Sequence, residues 1–125
     1  MKSPLNVAGA PKAIGPYSQA VASGGLVFLS GQIPLDPASG AMVEGEFAAQ
    51  AQRVLDNLDA VLKAAGCTRS QVVKATVYLT DLGLFAELNQ IYAAFFGEHR
   101  PARAVVGVAS LPRGARIEIE AVAAR

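Results

Sequence analysis

The sequence predicts a layered sandwich, α+β or α/β, in which two amphipathic helices lie on one face of a sheet. Three observations predict it. Apolar residues recur at spacings of three and four in two windows, strand-like runs flank both windows, and Gly, Pro, Asp and Ser punctuate the junctions. The 125 residues fit one compact domain, residues 1–125, with no room for a second. Internal repeats and low-complexity segments are absent.

Residues 9–19 contain Pro11, Gly15 and Pro16 and read as a loop broken by turns. Residues 20–22 form a first short strand, and the apolar run Leu26-Val27-Phe28-Leu29-Ser30 forms a second. The intervening Gly24-Gly25 predicts a hairpin. Gly31-Gln32-Ile33-Pro34 and Asp36-Pro37-Ala38-Ser39-Gly40 are too rich in turn residues for a long element. A helix is predicted over 47–65, because Phe47, Ala51, Val54, Leu55, Leu58, Val61, Leu62 and Ala65 share one face. Gly66 is placed to end it.

Residues 72–80 alternate, with Val73, Ala75, Val77 and Leu79 on one face and Lys74, Thr76, Tyr78 and Thr80 on the other. Asp81 is placed to cap a second helix over 83–96, ended by Gly97, with apolar positions Phe85, Leu88, Ile91, Tyr92, Phe95 and Phe96. Residues 103–108 and 116–122 read as the arms of a hairpin turned by Leu111-Pro112-Arg113-Gly114. The predicted order is β-β-α-β-α-β-β, and the sheet face away from the helices needs a partner.

Composition supports that need. Hydrophobic residues make up 52% and charged residues 17%, which excludes disorder. A chain this short cannot bury so much apolar surface alone, so an oligomer is expected. The net charge is +1 and the eleven basic residues are scattered, giving no electrostatic signature of nucleic-acid binding. Cys67 is the single cysteine, so no internal disulfide is possible and secretion is not indicated. Residues 1–6 do not resemble a signal peptide, and no stretch approaches a membrane span. A cytoplasmic location is expected.

Standard catalytic signatures are missing. With one His and one Cys, no metal-ligand spacing exists, and neither the Walker pattern nor G-x-G-x-x-G occurs. His99 reads as a solvated loop residue and Cys67 as a small buried filler.

Four features are less ordinary. Arg103 stands among small apolar residues, so its guanidinium needs an anion: either a substrate carboxylate or a structural pair with Glu118 or Glu120. Glu118 shares a face with Arg116 and Glu120; that face is either ordinary charged surface or a cleft where a carboxylate handles water or a proton. Asn89 borders the apolar stripe of its helix, and its amide needs hydrogen-bond partners, in a neighbouring segment or a ligand. Gly15-Pro16-Tyr17-Ser18 and Ser30-Gly31-Gln32 are turns able to present amides and hydroxyls to a ligand.

Together these segments resemble the RidA/YjgF family of reactive intermediate deaminases, formerly described as translation inhibitors or L-PSP proteins. The matching stretches are Ile14-Gly15-Pro16-Tyr17-Ser18-Gln19, Leu29-Ser30-Gly31-Gln32-Ile33-Pro34, Leu55-Asp56-Asn57-Leu58 and Val73-Lys74-Ala75-Thr76-Val77-Tyr78-Leu79. Residues 89–96, Pro101-Ala102-Arg103, Val108-Ala109-Ser110-Leu111-Pro112 and Ile117-Glu118-Ile119-Glu120-Ala121 complete the set. The resemblance runs over residues 13–123.

It implies an α+β fold like that of the small trimeric chorismate mutases, with two helices on one face of a mixed sheet and three sheets meeting in a central barrel. It implies a homotrimer with sites between subunits, no cofactor and no metal. The implied reaction is hydrolysis of enamines and imines such as 2-aminoacrylate and 2-aminocrotonate to 2-keto acids and ammonia, the activity of a 2-iminobutanoate/2-iminopropanoate deaminase.

By position, Arg103 would bind the substrate carboxylate, Glu118 would activate water, and the backbone carbonyl of Val105 would hold that water. Tyr17, Ser30, Gly31 and Asn89 would line the pocket. Two departures stand out: Val105 where many relatives have cysteine, and a short loop at residues 97–101. The alternatives are an endoribonuclease or translation inhibitor, a non-catalytic binder of small carboxylates, and a chaperone-like protein.

Overall fold

The computed structural model describes residues 2–4 and 9–125, so the reading of residues 1–6 falls partly outside the described residues. The strands are β1 (Lys2–Pro4), β2 (Ala20–Ser23), β3 (Leu26–Gln32), β4 (Val72–Leu79), β5 (Ala102–Gly107) and β6 (Ile117–Ala124). The helices are α1 (Phe47–Ala64) and α2 (Phe85–Phe96). The fold is α+β, with both helices on one face of a six-stranded mixed sheet of order β1-β2-β3-β6-β4-β5. β1 is an addition to the predicted order; three residues are too few to show a period.

The β2–β3 hairpin forms as expected, with Ser23 opposite Leu26 and Gly24 at φ +61 in the two-residue turn. The helix α1 also matches its stripe. All eight apolar positions named above are buried, and its end is a Schellman motif in which Gly66 takes φ +73, its N–H bonds Lys63 O and that of Cys67 bonds Leu62 O. Cys67 is buried there, as a filler should be.

The predicted C-terminal hairpin is not formed. β5 pairs with β4 in parallel, Ala75 opposite Arg103, and β6 lies between β3 and β4, antiparallel to both. Burial explains the exchange. In β6 the residues Ile117, Ile119, Ala121 and Ala123 are all buried, which suits a central strand, whereas no β5 residue is buried. Parallel pairing of β4 and β5 requires a crossover, and α2 supplies it. The Pro112–Gly114 turn still forms, as a 3-10 turn on the path from β5 to β6, with Arg113 at φ 57.

One residue of β4 also departs from its predicted face. Val73 is 45% exposed and Val72 fully buried in its place, because the β4–β6 register shifts between Val72 and Lys74. Asp81 caps as expected, its carboxylate accepting from Gly83 N at 2.8 Å, but the turn it caps is a 3-10 segment, Leu82–Leu84, ahead of α2.

Arg69 ties the end of α2 to α1. Arg69 Nε donates to Asp59 Oδ1 at 3.0 Å and Nη1 donates to Phe95 O at 2.9 Å, with its guanidinium 3.9 Å above the Phe95 ring. His99, expected in solvent, is half-buried, its Nε2 2.6 Å from Val72 O. A ring pinned to the start of β4 fixes the loop at residues 97–101. Elsewhere the buried Asn57 donates to Ile33 O and Leu35 O and accepts from Arg53, which ties the segment after β3 to α1. Among the described residues, no helix is long and apolar enough to cross a membrane.

Candidate functional site

The singled-out residues gather into two clefts on opposite faces of the sheet. Arg103 pairs with Ala75, whose side chain is buried beneath the helices, so Arg103 emerges on the helix side at the sheet edge. Glu118 pairs with Tyr78 on a strand whose odd-numbered residues fill the core, so Glu118 emerges on the opposite face. Within one chain Arg103 forms no ion pair with Glu118 or Glu120.

The helix-side cleft, about 290 Å³, is lined by Asn89, Tyr92, Ala93, Arg100, Pro101 and Arg103. Arg103 Nη1 donates to Asn89 Oδ1 at 2.9 Å, and its guanidinium lies 4.9 Å from the Tyr92 ring centroid and 5.6 Å from that of Phe85. Asn89 thus finds its partner in the arginine, and the aromatic faces hold the planar cation without neutralising it. An exposed guanidinium oriented in this way, with no carboxylate beside it among the described residues, has N–H donors free for an anion. Tyr92 was legible only as part of an apolar stripe. It is buried, burial pushes its phenol pKa up, and its hydroxyl has no hydrogen-bond partner among the described residues. A donor left so is costly, by roughly 1–3 kcal/mol.

The second cleft, about 300 Å³, is lined by Ile14, Tyr17, Ser30, Gly31, Ile33, Pro112 and Glu118. Here the two turn motifs meet: Ser30 Oγ donates to Ser18 O at 2.5 Å, Ser30 N to Gln19 O at 2.9 Å, and Gln32 Nε2 to Gln19 Oε1 at 3.1 Å. They stand over Glu118, which is half-buried and accepts no hydrogen bond among the described residues. Burial, and then the neighbouring charge of Glu120, raise its carboxyl pKa above the ordinary value of 4.5. Tyr78 bonds Glu120 Oε1 at 2.5 Å on the same face. Arg116 does not join that face as predicted. It precedes β6 and turns toward α1, donating to Gln50 Oε1 at 3.3 Å and Gly45 O at 2.5 Å.

Gly31 makes this geometry possible. A Cβ there would lie 2.0 Å from Glu118 Oε2 and 2.9 Å from its Cδ. Gly31→Ala is therefore expected to displace the carboxylate while the flexible glutamate absorbs the clash, costing less than about 2 kcal/mol of stability. Thermal unfolding checks this, and a much larger loss would mean that Glu118 cannot move aside from Gly31.

Val105 lies half-buried on β5, opposite Val77, on the helix face of the sheet's terminal strand. No cluster of three or more His, Cys, Asp or Glu able to hold a metal occurs among the described residues.

The sequence matches the family model described as Endoribonuclease L-PSP over residues 7–125. It is 51% identical over 119 residues to the human 2-iminobutanoate/2-iminopropanoate deaminase, covering 95% of this chain and 87% of that one. The chain belongs to the RidA/YjgF family. Protein DfrA of Myxococcus xanthus is 58% identical over 116 residues, covering 91% of this chain and 88% of that one. Among solved structures, a putative endoribonuclease from Thermotoga maritima superposes with a TM-score of 0.97 at 50% identity, covering 100% of this chain and 98% of that one. E. coli TdcF with bound serine gives 0.93 at 43% identity, covering 98% of each. The RidA/YjgF fold is therefore shared over essentially the whole chain.

Proposed function

We propose that this chain is an imine deaminase, hydrolysing 2-iminopropanoate, 2-iminobutanoate and their enamine tautomers to 2-keto acids and ammonia. We propose also that it works as a homotrimer with its sites between subunits. The observation that carries the reading is the division of the site: an anion-seeking arginine on one face of the sheet and a carboxylate of raised pKa on the other. Each cleft supplies what the other lacks, and a neighbouring copy brings the two together. The naming of the human relative and the serine bound to TdcF support a small amino-acid-like ligand. Leu26, Phe28 and Val106, all large and exposed, support coverage of the outer sheet face by other copies.

In the reaction, Arg103 grips the substrate carboxylate with parallel hydrogen bonds and Asn89 keeps the guanidinium oriented. Glu118, with the Val105 carbonyl, holds a water against the imine carbon. The oxygen lone pair forms the C–O bond, the C=N π pair moves to nitrogen, and Glu118 carries a proton from the water to that nitrogen. In the resulting carbinolamine Glu118 carries the hydroxyl proton to the amino nitrogen as well; an oxygen lone pair then forms the C=O bond, the C–N bond breaks, ammonia leaves with that electron pair, and a keto group remains. Tyr17, Ser30 and Gly31 shape the pocket around this centre. A net charge of +1 with scattered basic residues supplies no track for an RNA backbone, which disfavours the endoribonuclease reading.

The test is complementation. Arg103→Ala and Glu118→Gln chains, each inactive alone, are unfolded, mixed in equal amounts and refolded. Random trimers should recover about a quarter of wild-type activity, since one ordered pair of neighbours in four joins an intact Arg103 to an intact Glu118. No recovery, with trimers demonstrated by sedimentation, would place both residues in one chain's site and contradict the proposal.

A further inference from the structure

The helix-side cleft holds a second guanidinium that binding a single carboxylate leaves unused. Arg100 lines the same 290 Å³ space as Arg103, and neither forms an ion pair among the described residues. Arg100 is held where it is by the chain. It directly precedes Pro101, which disfavours a helical backbone at this position, and it lies just past the end of α2. There its Nη1 donates to Gly97 O and to His99 O, the latter at 3.0 Å, and the partial negative charge of the helix terminus favours a cation. Both bonds use one nitrogen of a group with five N–H donors, so the rest of the fork remains available to a ligand. The loop that carries it is anchored in turn, through His99 to Val72 O. Among the described residues no acidic side chain lines the cleft, and the hydroxyl of Tyr92 on its wall lacks a partner.

We propose that Arg100 is a specificity-determining residue that receives a second carboxylate, so that this site accepts 2-imino dicarboxylic acids, the imines of acidic amino acids. This rests on the imine deaminase reading above. Arg103 takes the carboxylate next to the imine carbon and Arg100 the one on the side chain. The chemistry is unchanged: water adds to the imine carbon, the C–N bond breaks, ammonia leaves, and the distal carboxylate passes through unaltered. Two cations in one cleft repel each other less when two anions bind, which favours the dianion over a substrate with one carboxylate.

The experiment compares two imines made in place by flavin amino-acid oxidases, which pass two electrons from aspartate or alanine to oxygen, with catalase removing the peroxide. Competition with semicarbazide, which traps free imine, gives kcat/KM for the dicarboxylic and the monocarboxylic substrate. In Arg100→Ala the ratio of dicarboxylic to monocarboxylic kcat/KM should fall at least about tenfold, and in Arg100→Lys, which keeps the charge but loses the fork, it should fall by less than in Arg100→Ala. In the wild type the same ratio should decline as salt is raised. A ratio unchanged within about twofold in Arg100→Ala would overturn the inference, since a merely structural arginine affects both substrates alike. A wild type active on the monocarboxylic imine alone would overturn it and leave the imine deaminase reading standing. A wild type active on neither would remove that reading and the inference together.

Discussion

Replacing Arg103 by alanine is expected to lower kcat/KM for 2-imino acids by about two to three orders of magnitude, with pyruvate or 2-ketobutyrate binding weakened to a similar degree. The size follows from the geometry. The guanidinium is braced by one hydrogen bond to Asn89 and by the faces of Tyr92 and Phe85, and it offers two parallel N–H groups to an anion. Arg103→Lys keeps the charge but loses the fork and the stacking, so a loss of about tenfold is expected. Stability should barely change, by less than about 0.5 kcal/mol, because Arg103 is exposed and packs into no core. Thermal unfolding alongside the kinetics checks this. A variant that loses activity together with several degrees of melting temperature would show that Arg103 acts on the fold.

Replacing Glu118 by glutamine should lower kcat by about a hundredfold or more while keto-acid affinity stays within about twofold. That split separates activation of water from binding of the carboxylate. It also predicts the pH profile. Burial and Glu120 raise the Glu118 pKa, so as pH falls through that raised value the carboxylate takes up a proton and stops accepting one from water. Activity should therefore decline at a pH above the ordinary glutamate range, and Glu118→Gln should lack that limb. The linkage to stability runs opposite to a salt-bridged acid. A folded pKa above the unfolded one means that ionising Glu118 disfavours the fold, a penalty present above the folded pKa and relieved as pH drops below the unfolded one. Glu118→Gln should thus be no less stable than wild type at neutral pH. A marked loss of stability there would contradict the environment assigned to Glu118.

What the sequence made legible is what single elements encode. The stripe of α1 and the Gly24-Gly25 hairpin are local patterns, and both are present. Pairing partners are not local. Both presumed arms of the C-terminal hairpin look like strands and a turn separates them, yet the fully alternating β6 takes a central place and the exposed β5 an edge. The bulge that exposes Val73 in place of Val72 leaves no mark in residue type.

The candidate site follows the same division. Arg103, Asn89, Glu118 and the two turns stand out as residues that burial or turn chemistry must explain. Their separation into two clefts depends on register, Arg103 opposite Ala75 and Glu118 opposite Tyr78, which no single strand reveals. Tyr92 was hidden because a tyrosine in an apolar stripe reads as core. Arg100 was hidden because a charged residue before a proline reads as surface loop.

The central claim is that this chain hydrolyses imines, and a coupled assay tests it most directly. A pyridoxal-phosphate dehydratase releases 2-aminoacrylate from serine, and pyruvate formation is followed with wild-type protein, with Arg103→Ala and with no addition. Pyruvate release is expected to be faster with wild type, and the rate with Arg103→Ala to lie close to the blank. Equal rates in all three would contradict the claim, and the two clefts would then have to be read as binding surfaces.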